Sequence, residues 1–199
     1  RRELLLQNVY SRSDSPLASI PVKSASFAVY RAAFLKDARL AFPTLPIGQD
    51  SFFHFCALRE AKSVGDLDAK LYLYRRNGGS VSVRYMPNMT SLQQSLYSAY
   101  AALAAGDAEL SRRLGCRAFS SARICLCLQF SHADSPLPYR ERKQAFLTYE
   151  ASARKHFAAM DDMGVGLCDR MVYRLILRRW FAPLNAMYRL YTRKWRKNK

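Results

Sequence analysis

A helical spacing of apolar residues in the second half of the chain constrains the fold more than any other feature of this sequence. Within residues 91–106 the apolar positions recur every three or four residues, which places them on one helix face. These positions are Leu92, Leu96, Ala99 and Leu103. Gly106 then supplies a natural helix stop. We therefore expect the chain to be mainly helical from about residue 87 onward.

Three further helices are predicted from the same pattern. One covers 107–130, and the SPLP sequence at 135–138 separates it from another at 139–160. The last starts near Leu167, and Pro183 should kink or split it, since proline cannot donate the helical hydrogen bond.

The first part of the chain mixes strand and helix patterns. SFAVY at 26–30 is rich in β-forming residues, and KLYLYRR at 70–76 alternates strictly, so both are predicted to be strands. Short helices are predicted at the N-terminus, at RAAFLKDA and at 50–63. The expected fold class is α/β and mostly helical, with one domain over residues 1–86 and a helical extension over 87–199.

Composition indicates a packed core and an anionic partner. Half of the residues are hydrophobic, with 12 Tyr, 11 Phe and 2 Trp, which excludes a disordered basic protein. The formal net charge is +17, so nucleic acid, a membrane or a phosphorylated substrate is the expected partner. The sequence has no initiator Met and no signal-peptide pattern, which leaves both a fragment and a natural truncated protein open. No apolar run is long enough to predict a transmembrane helix.

The five cysteines fit no common zinc-site spacing. Their number is odd, and residues 125 and 127 would point in different directions on a helix. We expect buried free thiols in a reducing cytoplasm.

Residues 24–82 carry several motifs in order: AVYRAAFL, then LAFPTLPIGQDSFFHFCALREAKSV, then LYLYRRNGGSVS. This series resembles the acceptor-side half of a family 2 glycosyltransferase with the GT-A fold, of the kind that builds bacterial surface polysaccharides. The resemblance implies a partial GT-A-like sheet-and-helix region and an inverting, nucleotide-sugar-dependent transferase. Its implied partners are a nucleotide-sugar donor and a glycan or lipid-linked acceptor.

The resemblance gives a specific role to Asp50. It implies that this carboxylate is the general base that takes a proton from the acceptor hydroxyl. Gln49 stands where the family usually has Glu, and its amide could still bind a sugar hydroxyl, while His54 lies one helical turn after Asp50 on the same face. The alternative for Asp50 is an N-cap that also gains from the helix dipole. The alternative for His54 is an ordinary surface or core histidine.

On the donor side, the resemblance places Arg75, Arg76 and Ser80 near the nucleotide diphosphate, although solvated charges at a strand end are an equal alternative. The DLD sequence at 66–68 matches a metal-binding D-x-D pattern but falls where only a turn is expected. No metal site is predicted. Since the nucleotide-binding half is not recognisable, Mg²⁺ or Mn²⁺ is expected only in the intact enzyme, and this chain alone should be incomplete and inactive.

The last thirty residues are strongly basic, with ten Lys or Arg and no acid over 170–199. An apolar and aromatic stripe recurs beside a row formed by Arg170, Arg174 and Arg178. This combination is typical of a helix that lies in a membrane interface. The alternative is a helix that packs on the domain and exposes its basic face to solvent. The residues predicted to bind an anionic membrane are Arg174, Arg178, Arg179, Trp180, Arg193 and Trp195.

The sequence thus predicts a cytoplasmic glycosyltransferase that is peripheral on the inner face of the plasma membrane. The rival hypothesis is a basic helical module that binds nucleic acid without enzymatic activity, which explains the charge but not the ordered motifs at 24–82.

Overall fold

The computed structural model describes residues 1–10, 23–65, 67, 72–73, 83–157 and 166–197, without the side chains of 195–197. Within these ranges the chain forms α1 (Arg2–Val9), α2 (Ala32–Asp37), α3 (Gln49–Glu60), α4 (Met89–Ala104), α5 (Ala108–Cys125), α6 (Tyr139–Ala153), α7 (Leu167–Leu177) and α8 (Phe181–Lys197). Short 3₁₀ turns cover Ala25–Phe27 and Arg154–His156, and a π-helical turn over Leu126–Phe130 continues α5.

The predicted α/β fold class is wrong, because the described residues contain helices and irregular segments but no strand and no sheet. The strand predicted at 26–30 is a 3₁₀ turn followed by extended backbone. Of its β-forming side chains, Tyr30 packs on a helix instead, because its ring meets the edge of Phe53 of α3 at a centroid distance of 5.4 Å. A GT-A-like sheet is therefore not part of the described structure.

The second predicted strand, at 70–76, falls almost entirely outside the described residues. Only Tyr72 and Leu73 are described, and neither belongs to a strand. The Tyr72 ring makes an edge contact with Phe27 at a centroid distance of 5.8 Å.

The helices predicted from apolar spacing are confirmed, with shifted ends. The predicted 91–106 helix is α4, and the predicted 107–130 helix is α5 with its π-helical turn. Pro183 splits the last helix as predicted. It lies in the first turn of α8, where its missing N–H costs little, and Arg179 just before α8 has a left-handed φ of 56°.

Residue contacts divide the chain into two compact units. The first comprises Arg1–Tyr74 and Ser95–Leu114, and the second comprises Arg75–Gln94 and Gly115–Lys199. Neither unit is one continuous segment of sequence. The boundary near residue 86 that the sequence pattern suggested stays a prediction.

The core of the first unit is formed by α1 and α3 with parts of α4 and α5. Its buried apolar side chains include Leu6, Phe55, Leu96, Tyr100 and Leu110. The Phe55 and Tyr100 rings meet edge to face at a centroid distance of 5.0 Å.

A buried polar network fixes α1 and α3 against Tyr100 in this unit. The Tyr100 hydroxyl donates to Asn8 Oδ1 at 3.0 Å and lies 2.9 Å from Ser51 Oγ. Asn8 Nδ2 in turn donates to the Ser51 carbonyl at 3.2 Å. Because Ser51 belongs to the first turn of α3, this network sets the position of the neighbouring Asp50.

The core of the second unit is aromatic and brings α6, α7 and α8 together. The Phe146 ring of α6 stacks on Phe181 of α8 at a centroid distance of 5.3 Å and meets the edge of Phe130 at 5.9 Å. Ile176 of α7 and Leu184 of α8 are fully buried.

All five cysteines are free thiols, as predicted. Cys116, Cys125 and Cys127 are buried, whereas Cys56 is half-buried and Cys168 is exposed. The prediction of burial is therefore wrong for Cys168.

Candidate functional site

The N-terminal half of α3 holds Gln49, Asp50 and His54, the residues predicted to form the acceptor side. Gly48 is the N-cap residue, with a left-handed φ of 68°. The N-cap alternative for Asp50 is thus wrong, and Asp50 is an acid within the first turn, where the helix dipole favours its charge. Its side chain is exposed and makes no hydrogen bond or ion pair with the described part of the chain.

The side chains of Gln49 and His54 both form hydrogen bonds within the first unit. The Gln49 side-chain amide donates to the Leu45 carbonyl. His54 is buried, and its Nδ1 lies 2.5 Å from the Tyr30 hydroxyl oxygen. Burial lowers the pKa of His54 below its usual 6.5 and raises the pKa of Tyr30 to about 12, so both groups are neutral and the Tyr30 hydroxyl donates a hydrogen bond to Nδ1 of the imidazole.

The structure therefore does not assemble the predicted acceptor site from Gln49, Asp50 and His54. The carboxylate faces solvent, while the amide and the imidazole bond to their own chain. Arg75, Arg76 and Ser80, the predicted donor-diphosphate residues, lie outside the described residues, as do Asp66 and Asp68 of DLD. The catalytic role of Asp50 and the transferase activity stay predictions.

No metal centre is found in the ranges that the structure describes. There, no three His, Cys, Asp or Glu side chains lie close enough together to hold an ion. The divalent metal of the intact enzyme stays a prediction.

The outer side of α7 carries a different constellation, which we call the α7 face. It borders a shallow groove of about 280 Å³ and consists of Leu167, Arg170, Met171, Arg174, Leu175 and Arg178. The arginines and the aliphatic residues each recur every four residues, so they form two adjacent rows along the helix. Leu167 is 82% exposed and Met171 is 52% exposed.

Contacts on the opposite side of α7 fix this orientation. Ile176 is fully buried and lies nine residues from Leu167, which is about 180° around a helix. The Tyr173 ring meets the edge of Phe119, and its hydroxyl donates to the Phe157 carbonyl at 3.1 Å. Asp169 accepts a 2.5 Å hydrogen bond from Arg123 of α5. The α7 face is therefore held toward solvent.

The turn after α7 adds an aromatic residue to this exposed surface. Trp180 is 54% exposed, and the Arg178 guanidinium lies 5.4 Å from its ring centroid, within range of a cation–π contact. Arg179 points elsewhere, because its Nε donates to the buried carboxylate of Glu150 at 2.9 Å.

Part of the apolar stripe that the sequence assigned to lipid is core instead, although Trp180 and Tyr191 of the same stripe are exposed. Its members Ile176, Leu184 and Tyr188 are buried in the second unit. A side chain that is packed inside the folded unit is not available to a bilayer, so these buried members of the stripe stabilise the fold and do not contact lipid. The predicted basic row on α7, in contrast, is exposed.

The structure thus brings together Arg174, Arg178 and Trp180 among the predicted membrane residues. Arg193 is exposed on α8, and the Trp195 side chain is outside the description. Sequence reasoning missed Leu167 and Met171. Their spacing of four residues, next to the arginines, was a signal that could have identified them. Which apolar row of α7 faces solvent, however, is known only once the structure shows which side of the helix is buried.

In the described parts of the chain, no helix is both long enough and apolar enough to cross a bilayer. Comparison with protein-family models, with curated proteins and with solved structures finds no match to this chain. The resemblance of residues 24–82 to family 2 glycosyltransferases accordingly stays a prediction.

Proposed function

We propose that this chain attaches peripherally to anionic membrane surfaces through the α7 face and Trp180. The observation behind the proposal is the pairing of exposed arginines with exposed aliphatic side chains on one side of α7. Cations attract anionic headgroups, and the aliphatic groups leave water for the interface. The anionic inner leaflet of the plasma membrane is the matching surface.

The charge contribution follows from three arginines, at positions 170, 174 and 178. Each Lys or Arg near an anionic leaflet is worth about 1 kcal/mol, and Arg170 also interacts within its own chain, so the row supplies at most roughly 3 kcal/mol. Salt weakens this contribution, because the Debye length at physiological ionic strength is about 8 Å.

The apolar contribution comes from Leu167, Met171 and Trp180. Indole rings prefer the depth of the lipid headgroups, where the apolar part of the ring is buried and the N–H can still bond to water. Contacts of this kind are not screened by salt. Binding should therefore keep a salt-resistant part.

These exposed aliphatic groups favour a membrane over nucleic acid. Arginines alone would serve either partner, since both present phosphate groups. Leu167 and Met171 have no partner on a phosphate backbone, whereas a bilayer takes up both.

The test is flotation of the full chain with vesicles that contain anionic phosphatidylglycerol, over a range of salt concentrations. Replacing Arg170, Arg174 and Arg178 by Gln should weaken binding by up to about a hundredfold, the equivalent of roughly 3 kcal/mol. Replacing Trp180 by Ala should instead lower the part of the binding that persists in high salt.

The matched control replaces Arg140, Lys143 and Lys155, which are exposed elsewhere in the second unit. It removes the same three charges and should change binding much less. Equal losses in the two triple variants would mean that net charge alone drives binding and would overturn the proposal. So would tight, fully salt-sensitive binding of a DNA duplex that the α7 variant loses, which would assign the face to nucleic acid.

A further inference from the structure

The groove of the α7 face has a composition that suits a single amphiphile. Its basic row is Arg170, Arg174 and Arg178, and its apolar row is Leu167, Met171 and Leu175. With a rise of about 1.5 Å per residue, successive side chains in each row are about 6 Å apart along the helix. A molecule lying across the groove thus meets guanidinium groups at one end and aliphatic groups at the other.

The size of the groove limits what it can hold. Its volume of about 280 Å³ lies at the lower end of the roughly 300–1,000 Å³ that is usual for small-molecule pockets. It accommodates a compact headgroup and the beginning of a hydrocarbon chain, and not a whole lipid. The remainder of the lipid would stay in the bilayer against which the α7 face rests.

The arrangement of the arginines bears on the type of headgroup. Arg174 is the middle residue of the row, with a guanidinium one turn away on either side. A planar guanidinium binds two phosphate oxygens at once. A phosphodiester has two free oxygens, which one bidentate arginine occupies, whereas a phosphomonoester has a third oxygen and more negative charge for a neighbouring arginine.

We infer that the α7 groove selects membrane lipids whose headgroup ends in a phosphomonoester, with Arg174 as the bidentate contact. This inference rests on the proposed membrane attachment and adds the chemical class of lipid to it. The apolar row is what distinguishes a lipid from a soluble phosphate, because only the lipid has a chain to place there.

The experiment compares vesicles with phosphatidic acid, a phosphomonoester lipid, and vesicles with phosphatidylglycerol, a phosphodiester lipid, at equal zeta potential. The full chain should bind the phosphatidic acid vesicles roughly three- to tenfold more tightly, the range that the net contribution of one additional hydrogen bond supplies. Arg174→Lys keeps the positive charge but loses the planar guanidinium that binds two phosphate oxygens at once. Without that planar contact the phosphate is no longer held with its third oxygen toward a neighbouring arginine, so binding to both vesicle types should weaken, more for phosphatidic acid, and the two affinities should become equal.

The matched control is Arg140→Lys on α6, which should keep the preference. Equal binding to the two vesicle types, or a preference that survives in Arg174→Lys, would overturn this inference and leave membrane attachment standing. Absence of binding to both vesicle types would overturn attachment itself. Soluble glycerol phosphate should compete poorly, and competition as effective per molecule as that of the lipid would assign the groove to a free phosphomonoester instead.

Discussion

Arg179 Nε donates to Glu150 Oε2 at 2.9 Å and thereby joins the turn between α7 and α8 to α6. The Glu150 side chain has no solvent exposure, and its other oxygen accepts from Arg154 Nε at 2.5 Å. The Arg154 guanidinium also donates to the carbonyl of Leu177, the last residue of α7. One buried carboxylate thus organises the end of α7, next to the surface that we propose for membrane binding.

Glu150→Gln should destabilise the second unit by about 2 kcal/mol. The buried amide would keep the shape of the side chain, but it would lose one acceptor oxygen and the charge that both arginines require. Urea denaturation followed by the near-ultraviolet signal of the aromatic core would measure the loss. A change within about 0.5 kcal/mol, the usual range for surface substitutions, would show that the arginines contribute little.

Arg179→Gly and Arg39→Gly should have opposite effects. Both arginines adopt a left-handed backbone, with φ of 56° and 50°, which glycine tolerates better. Arg39 makes no ion pair with the described residues, so Arg39→Gly should be neutral or stabilising by up to about 1 kcal/mol. Arg179→Gly also removes the Glu150 contact and should be destabilising. Thermal unfolding of the two variants would measure this difference, and equal stabilisation would show that backbone strain outweighs the ion pair.

Apolar spacing predicted the helices because the core positions of α4 and α8 repeat at the helical period. Pro183 marked the split of the last helix for an equally local reason, its missing donor. Neither feature requires knowledge of the partner that a helix packs against.

The wrong predictions concern which surfaces pack against each other, and the local sequence does not specify that. SFAVY has the residues of a strand, but a strand needs a partner to satisfy its backbone, and Tyr30 packs on α3 instead.

α7 carries apolar residues on two sides, Val172 and Ile176 on one and Leu167 and Met171 on the other. The sequence cannot show which side meets the core. In the candidate site, several apolar residues that were assigned to lipid are therefore buried, whereas the basic row is exposed and its membrane binding stays a prediction.

Gly48→Ala should destabilise the first unit by roughly 2 kcal/mol. Its φ of 68° is unfavourable for any residue with a Cβ, and the added Cβ would lie 2.6 Å from Leu96 Cδ2. Gly106→Ala is the matched control, because its φ of 83° is also left-handed but nothing lies within 4 Å of the new Cβ. It should cost about 1 kcal/mol. Chemical denaturation of both variants measures the difference, and equal costs would mean that Leu96 moves aside freely.

Asp107 should make the first unit sensitive to strong acid. The Arg2 side chain donates to Asp107 Oδ1 at 2.7 Å, and the Leu110 N–H donates to the same oxygen at 3.0 Å. The hydrogen bond from Arg2 is the main reason that the pKa of Asp107 falls from 3.8 to about 2. A lowered carboxyl pKa means that its stabilisation is complete above the unfolded value and is lost as the pH falls toward about 2.

Urea midpoints measured through this acidic range would show the loss. Asp107→Asn keeps an oxygen that can cap α5 but has no charge, so its midpoint should fall less steeply with acid than that of the unaltered chain. Parallel curves for the two proteins would rule out a contribution of Asp107 to acid sensitivity.

His54 should add a second loss of stability at a higher pH. Its pKa is lowered by burial in the folded chain, whereas the unfolded chain takes up a proton near 6.5. The unfolded state therefore binds more protons as the pH falls through this value, and stability is greatest above it.

Urea midpoints at about pH 8 and about pH 5.5 bracket the ordinary histidine range and should show the decrease. His54→Asn should flatten this part of the profile, and Tyr30→Phe should lower the midpoint even at the higher pH by removing the hydrogen bond to Nδ1. A histidine resonance that titrates at or above 6.5 in the folded chain, assigned to His54 by its absence in the Asn variant, would contradict the buried, neutral imidazole.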